Sequence, residues 1–275
     1  MAARSHYVHG SDAREQARLA LMNELLNEGV LRELRLRRGE RVLDVGTGTA
    51  ILARAIARGV QPGGSVVGVE RDPRQIEEAR GRAERDGEAG LVDLRQGEAF
   101  DLPLRAQEWG SFDLAHARFL LEHVGDPLAV VRGMVRAVRV GGRIVVSDDD
   151  HDLLRLWPEP AAVMRVWEAY WRSYGDSGND ALIGRKLPAL LHAAGARPVR
   201  MTWVSFGGCA GEERFGRLVE NLRGILEGAR EAILRRASAE ELERGLAELE
   251  AWSRREDASF GYAIALAEGR RVATT

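Results

Sequence analysis

Val42-Leu43-Asp44-Val45-Gly46-Thr47-Gly48-Thr49-Ala50 is the stretch on which the fold turns. An apolar run of strand length passes straight into a glycine-rich turn, and a helix is predicted to follow over Thr49–Arg58. Glycines in such a turn let the main chain approach a ligand closely, and the start of the helix beyond offers N–H groups that have no partner within the helix. A lone Gly-x-Gly is a weak signal. Here it is flanked by two carboxylates at telling places: Asp44 lies two residues before Gly46, and Glu70 ends the next predicted strand, where an acid accepts the hydroxyls of a ribose.

Outward from this stretch the pattern alternates. Strands are predicted at Arg41–Val45, Ser65–Val69, Leu91–Arg95, Phe112–Ala115 and Arg143–Ser147. Between them lie helices over Pro73–Arg85, with proline in the first turn, and over Pro127–Val138, ended by Gly141-Gly142. Short buried strands alternating with helices give βαβ units and, with right-handed crossovers, a doubly wound parallel sheet. Upstream, Asp12–Gly29 reads as a helix with Ser11 as N-cap and Gly29 as its stop. Downstream, an aromatic helix over Pro158–Tyr174 and a helix over Ile183–Ala194 precede a strand at Pro198–Phe206. Polar helices at Glu212–Arg236 and Ala239–Arg254 then lead to a last strand at Phe260–Ala267. The expected architecture is α/β: a doubly wound, mostly parallel seven-stranded sheet with an antiparallel last strand and helical cap insertions. Residues 1–36 would form an N-terminal helical lid, 37–150 the cofactor-binding core, and 151–275 the completion of the sheet with the cap.

Composition narrows the class. With 45% hydrophobic and 30% charged residues the chain is of ordinary globular composition, and a formal net charge of -2 gives no electrostatic case for a nucleic-acid partner. No apolar run reaches membrane-spanning length and the first ten residues lack an apolar signal core, so the cytoplasm is the expected location. The single cysteine, Cys209, excludes an internal disulfide and reads as a small buried hydrophobe. A homodimer is the assembly the sequence leaves open.

The glycine-rich segment resembles motif I of the class I, Rossmann-like S-adenosylmethionine-dependent methyltransferases, and the likeness extends over about residues 37–150. The subgroup it is most similar to includes ubiquinone/menaquinone-biosynthesis and antibiotic-tailoring methyltransferases. The resemblance implies S-adenosyl-L-methionine as cofactor, with Asp44, Gly46, Thr47 and Gly48 around its methionine part and Glu70, with Arg71, at the ribose. It implies Glu98 and Ala99, of Gly97-Glu98-Ala99, at the adenine. Phe112-Asp113-Leu114, Leu121-Glu122-His123-Val124 and Arg139-Val140-Gly141-Gly142-Arg143 match the family's fourth strand, the helix start after it and the turn into strand five. The third motif glycine is replaced by Ala50, which is expected to begin the helix. Tyr7-Val8-His9-Gly10 resembles a lid segment, which implies Tyr7 as a further cofactor contact.

Methyl transfer from a sulfonium is an in-line displacement, so the protein mainly aligns the reactants and excludes water. An acceptor with a high-pKa proton needs a base, and histidine is the usual one. His116, which follows strand four and is also placed at the cofactor, and His151 are the candidates. His123 reads as structural. Asp148-Asp149-Asp150-His151-Asp152 begins where strand five should end; on an extended chain only Asp148, Asp150 and Asp152, or Asp149 and His151, share a face. A solvated acidic loop or a substrate-facing acid or base is favoured there over a Mg²⁺ site, and no metal is expected. Trp167, Tyr170, Trp171 and Tyr174 share a helix face, read as core before substrate wall. The expected activity is methylation of a small-molecule acceptor such as a natural product or quinone. Two other readings stay open: an NAD(P)-dependent oxidoreductase, which the missing Gly-x-Gly-x-x-Gly spacing disfavours, and a non-catalytic methyltransferase-like partner protein.

Overall fold

The computed structural model describes residues 26–273. Its first helix, α1 (residues 26–34), does not stop at Gly29 as the sequence suggested. Leu26, Val30 and Leu34 continue the apolar stripe at four-residue spacing and are fully buried, so packing carries the helix through the glycine.

Five strands follow in parallel: β1 (Arg41–Val45), β2 (Ser65–Glu70), β3 (Asp93–Gln96), β4 (Phe112–Arg118) and β5 (Val138–Asp149). Helices α2 (Ile51–Gly59), α3 (Pro73–Arg85) and α4 (Pro127–Ala137) connect them. The Gly141-Gly142 pair does not end α4. The chain turns extended at Val138, and the glycines lie inside β5 at an irregularity where Phe112 pairs with Val138 and Leu114 with Arg143.

Beyond β5 come β6 (Arg155–Trp157), α5 (Ala161–Arg172), α6 (Leu187–Ala193), β7 (Ala196–Cys209), α7 (Glu213–Gly228), α8 (Arg230–Ile233), α9 (Ala239–Ser253) and β8 (Ser259–Arg271). The sheet runs β3-β2-β1-β4-β5-β8-β6, with β7 on the other flank of β8. β8 is antiparallel to β5, β6 and β7. All seven expected strands are present. The eighth, β6, is three residues long and pairs with the first residues of β8, too short to carry a period in the sequence. The single polar helix expected over Glu212–Arg236 is broken after Gly228 into α7 and α8, and Ile183–Ala194 begins as a 3₁₀ turn before α6.

The sheet is buried on both faces. Val42, Leu114, Val145 and Leu266 point to one side, with α1, α2 and the cap helices α5, α7 and α9. Leu43, Ala115, Ile144 and Ala267 point to the other, with α4 and α6. Strand alternation therefore puts Asp44, His116, Arg118 and Asp149 on the first side, under the cap, at the carboxyl ends of β1, β4 and β5.

At the opposite end of the sheet a buried ion pair ties three elements together. Arg143 Nη1 donates to the Leu34 carbonyl at 2.6 Å and its Nη2 to the two Glu40 oxygens at 2.8 and 3.0 Å. Cys209, expected inside, is exposed at the end of β7, its thiol 3.2 Å from Glu212 Oε1, because the strand has already left the core there.

Candidate active site

The carboxyl ends of β1 and β4 flank the point where strand order reverses, the place where open α/β sheets form their ligand crevice. A cavity of about 770 Å³ opens there. Asp44, Gly46, Thr47, Gly48, Glu70, Arg71, Glu98, Ala99, His116 and His151 all line it. Tyr7 and the predicted lid helix before residue 26 lie outside the described residues.

The glycine turn has a definite geometry. Gly46 and Gly48 take φ of 73° and 56°, and the Gly46 and Thr47 amides both donate to the Val69 carbonyl at 2.9 and 3.0 Å. A side chain at Gly46 would meet Leu120 at 3.0 Å. Ala50 does not begin the helix, as had been expected; it caps α2 in the left-handed region at φ 57°. It occupies a conformation that costs a non-glycine residue about 1–2 kcal/mol, which is why a glycine is natural at that point of the motif. Glu70 closes the turn from the next strand. Its Oε2 accepts from the Gly48 amide at 3.0 Å, and its Oε1 from the Arg71 and Asp72 amides at 2.9 and 3.0 Å.

Asp44 is turned inward. Its Oδ2 accepts from the Thr47 hydroxyl at 2.7 Å, and its Oδ1 lies 2.7 Å from His116 Nδ1. His116 is fully buried, and its Nε2 has no hydrogen-bond partner among the described residues. Two residues on, Arg118 donates to Asn27 Oδ1 at 2.9 Å; burial pulls its guanidinium down to about 10, against the attraction of Asp44 and Asp149, and it stays charged at neutral pH. Phe119 follows at φ 52°, a strained value for a bulky residue, and turns the chain out of β4.

The other half of the cavity is aromatic and acidic. Asp149 and His151, the alternating pair in the acidic run, face it together, and Glu122 joins them; one ligand atom from each of the three lies within 4.8 Å of the others. His151 Nε2 is 3.0 Å from Glu122 Oε2 and its Nδ1 is 3.1 Å from the Tyr262 hydroxyl, which donates to Asp149 Oδ1 at 2.9 Å. Trp167, Tyr170 and Tyr174 pack around the imidazole at centroid distances of 5.2 to 5.4 Å, and Trp167 Nε1 donates to the His151 carbonyl. These rings, read as core from their spacing, are buried and also line the cavity.

The rest of the acidic run is structural. Asp148 is buried and accepts from the Leu120 and Leu121 amides at 3.2 and 2.8 Å; burial first, then Glu122 and Asp149, push its carboxyl well above the usual range. Asp150 accepts from Arg185 Nε and Nη2 at 2.6 and 2.7 Å, and Asp152 from the same Nη2 at 2.9 Å. The run is therefore not a solvated loop. His123, read as structural, is buried and stacked on Tyr174, and it also lines the cavity. Arg118, expected at the cleft after strand four, does line the cavity, whereas Glu122 and Tyr262 were not singled out from the sequence. Glu122 lies in a recognised segment, but Tyr262 comes from the far end of the chain and only strand pairing brings it here.

A doubly wound sheet with a glycine turn after β1, an acid after β2 and a capped cavity over the switch point is the architecture of the class I methyltransferases. The chain belongs to that class: the methyltransferase-domain family matches residues 36–195, and the chain is an S-adenosylmethionine-dependent methyltransferase by family. Among its relatives, the O-methyltransferase rstn1 of Aspergillus nomiae is 30% identical over 202 residues, 74% of this chain and 84% of that protein. A ubiquinone biosynthesis O-methyltransferase of Paracidovorax citrulli is 38% identical over 109 residues, 40% of this chain and 43% of that one. The chain also spans 46% of an uncharacterised 37.1 kDa protein of Streptomyces fradiae, at 34% identity. Solved structures share the fold. A methyltransferase of Aquifex aeolicus superposes with a TM-score of 0.53 at 19% identity, over 70% of this chain and 94% of that one. The [4+2]-cyclase SpnF does so with 0.54 at 21%, over 99% and 88%. One scaffold thus carries different chemistries, and the acceptor reaction must be argued from the site. No helix among the described residues is long and apolar enough to cross a membrane.

Proposed function

We propose that the protein transfers a methyl group from S-adenosyl-L-methionine to a hydroxyl of a small acceptor, in the cytoplasm. The observation that carries this reading is the single cavity. Its one half is lined by the glycine turn, Glu70, Glu98 and Ala99, and its other half by Asp149, His151 and aromatic rings beneath the cap. A cavity of about 770 Å³ falls in the range of small-ligand sites, and its cover by α5 and α7 suits a small acceptor over a macromolecule.

The residues present fit the cofactor. The Gly46–Gly48 turn lets the main chain approach the ligand, Glu70 retains lone pairs for ribose hydroxyls, and Glu98, on the cavity wall, offers a carboxylate that would accept from an exocyclic amine. Bound there, the cofactor supplies a sulfonium-activated methyl. The chain's own part is alignment, exclusion of water and removal of the acceptor proton. Both ring nitrogens of His151 are already engaged, so the acceptor proton enters the network at Asp149 and the Tyr262 hydroxyl, with His151 and Glu122 behind them to hold it.

Calorimetric titration with S-adenosylmethionine, S-adenosylhomocysteine and NAD, repeated on Asp44→Ala and Glu70→Ala, tests the cofactor. Micromolar binding of the two adenosyl ligands, weakened in both variants, is expected. Binding of NAD in their place overturns the reading.

A further inference from the structure

The Asp44–His116 pair is peculiar in how it spends its hydrogen bonds. Asp44 Oδ2 takes the Thr47 hydroxyl and Oδ1 takes His116 Nδ1–H, both at 2.7 Å, so the carboxylate fixes the orientation of the imidazole. The consequence falls on the imidazole. With its proton committed to Asp44 at Nδ1, His116 presents a lone pair at Nε2, and that nitrogen is buried without a partner among the described residues. A buried polar atom left unpaired is costly, and native folds seldom keep one that nothing satisfies. Ser147 Oγ is another such atom, but Ser147 does not line the cavity, whereas His116 does, between the Gly46–Gly48 turn and Arg118.

We propose that His116, oriented by Asp44, is the receptor for the α-ammonium group of the adenosyl amino acid, and that Arg118 beside it takes the α-carboxylate. The inference rests on the cofactor reading above and adds to it how this chain recognises the amino-acid arm. Of the polar groups on that arm, only the ammonium donates, and an acceptor lone pair backed by a carboxylate is its natural complement. The carboxylate only accepts, and a guanidinium two residues along the same strand face is its complement.

The arrangement makes the amino-acid arm, and not the adenosine, responsive to acid. Histidine ordinarily titrates between about pH 5 and 8. A proton on Nε2 removes the acceptor and places a cation against the ammonium. Charged groups at this end of the cavity include Asp44 on β1, Glu70 at the end of β2, Arg118 on β4 and Asp149 on β5.

The test compares two neutral thioethers, S-adenosylhomocysteine, which has the amino-acid arm, and 5′-methylthioadenosine, which lacks it. Both are titrated into the full chain calorimetrically between about pH 7.5 and 5.5. The affinity for S-adenosylhomocysteine should fall about tenfold or more across that range while that for methylthioadenosine stays level. In His116→Gln, S-adenosylhomocysteine should bind more weakly at pH 7.5 and lose its pH dependence, with methylthioadenosine binding preserved as the control for folding. A level or rising affinity for S-adenosylhomocysteine at low pH overturns the proposal and leaves the cofactor reading intact. So does a pH dependence that survives in His116→Gln, which would assign it to Asp149 or another neighbour. Failure of both thioethers to bind at either pH removes the cofactor reading and this proposal with it.

Discussion

The buried pair of Arg143 and Glu40 offers the sharpest test of how α1, β1 and β5 are held together. Arg143 on β5 reaches the end of α1 through the Leu34 carbonyl and the start of β1 through Glu40, whose Oε2 also takes the Arg37 amide at 2.8 Å. Both residues are more than nine-tenths buried. Replacing Arg143 by methionine removes three donated hydrogen bonds, leaves the Leu34 carbonyl unpaired and strands the Glu40 charge out of water. Breaking a buried pair from one side in this way costs about 3–5 kcal/mol. For a chain of this length that corresponds to a fall in Tm of roughly 6–20 °C, at about 2–4 °C per kcal/mol. Replacing both partners, as Glu40→Leu with Arg143→Met, removes the stranded charge and should recover most of the loss. The measurement is urea unfolding of the wild type, the two single variants and the double variant, read as a cycle. A loss below about 1 kcal/mol in Arg143→Met, or a double variant as unstable as the sum of the singles, would refute the claim that this pair acts as a desolvated unit.

Three further outcomes follow from the geometry. Arg95, with the Arg105 amide and Arg41, holds the Glu108 carboxyl down at about 2; a depressed carboxylate stabilises the fold above its unfolded value, near 4.3, and loses that contribution as pH falls toward 2. Wild type should therefore be up to about 3 kcal/mol more stable than Glu108→Gln at neutral pH, with the gap closing through that window in an acid-unfolding series. Asp148 has the opposite sign, since burial, Glu122 and Asp149 raise its carboxyl, so its charging works against the folded state as pH rises from about 4. Asp148→Asn should gain on the wild type as pH rises from there, in thermal melts. Glu70→Gln keeps the shape but has one acceptor oxygen for three amides, so S-adenosylhomocysteine binding should weaken about tenfold or more by calorimetry at fixed pH.

What could be read in the sequence was what is local. The strand, turn and helix around Gly46 and the acids at 44, 70 and 98 lie within a stretch whose periodicity and turn residues speak for themselves, and all line the cavity. Period-two alternation also narrowed five consecutive polar residues to two sets, of which Asp149 with His151 is the one that faces the cavity. What stayed hidden depends on contacts across the chain. Tyr262 meets Asp149 over a separation of 113 residues, and Arg185 neutralises Asp150 from 35 residues away. Ala50 shows a different failure. Its type favours a helix start, yet the turn imposes the backbone of the glycine it replaces. Gly29 was overridden by packing on either side of it, and Cys209 by the strand's leaving the core.

The antiparallel placement of β8 has a consequence in time as well as space. The half of the cavity around the glycine turn is built from residues 44–118, which are made early and join through neighbouring parallel strands. The half around Asp149 and His151 needs Phe260 and Tyr262, and these reach their places only when β8 slots in between β5 and β7. The half around the glycine turn can thus assemble from neighbouring segments, whereas the other half cannot form before β8 has been made. Its closure rests on pairings of high sequence separation, which form more slowly than local ones.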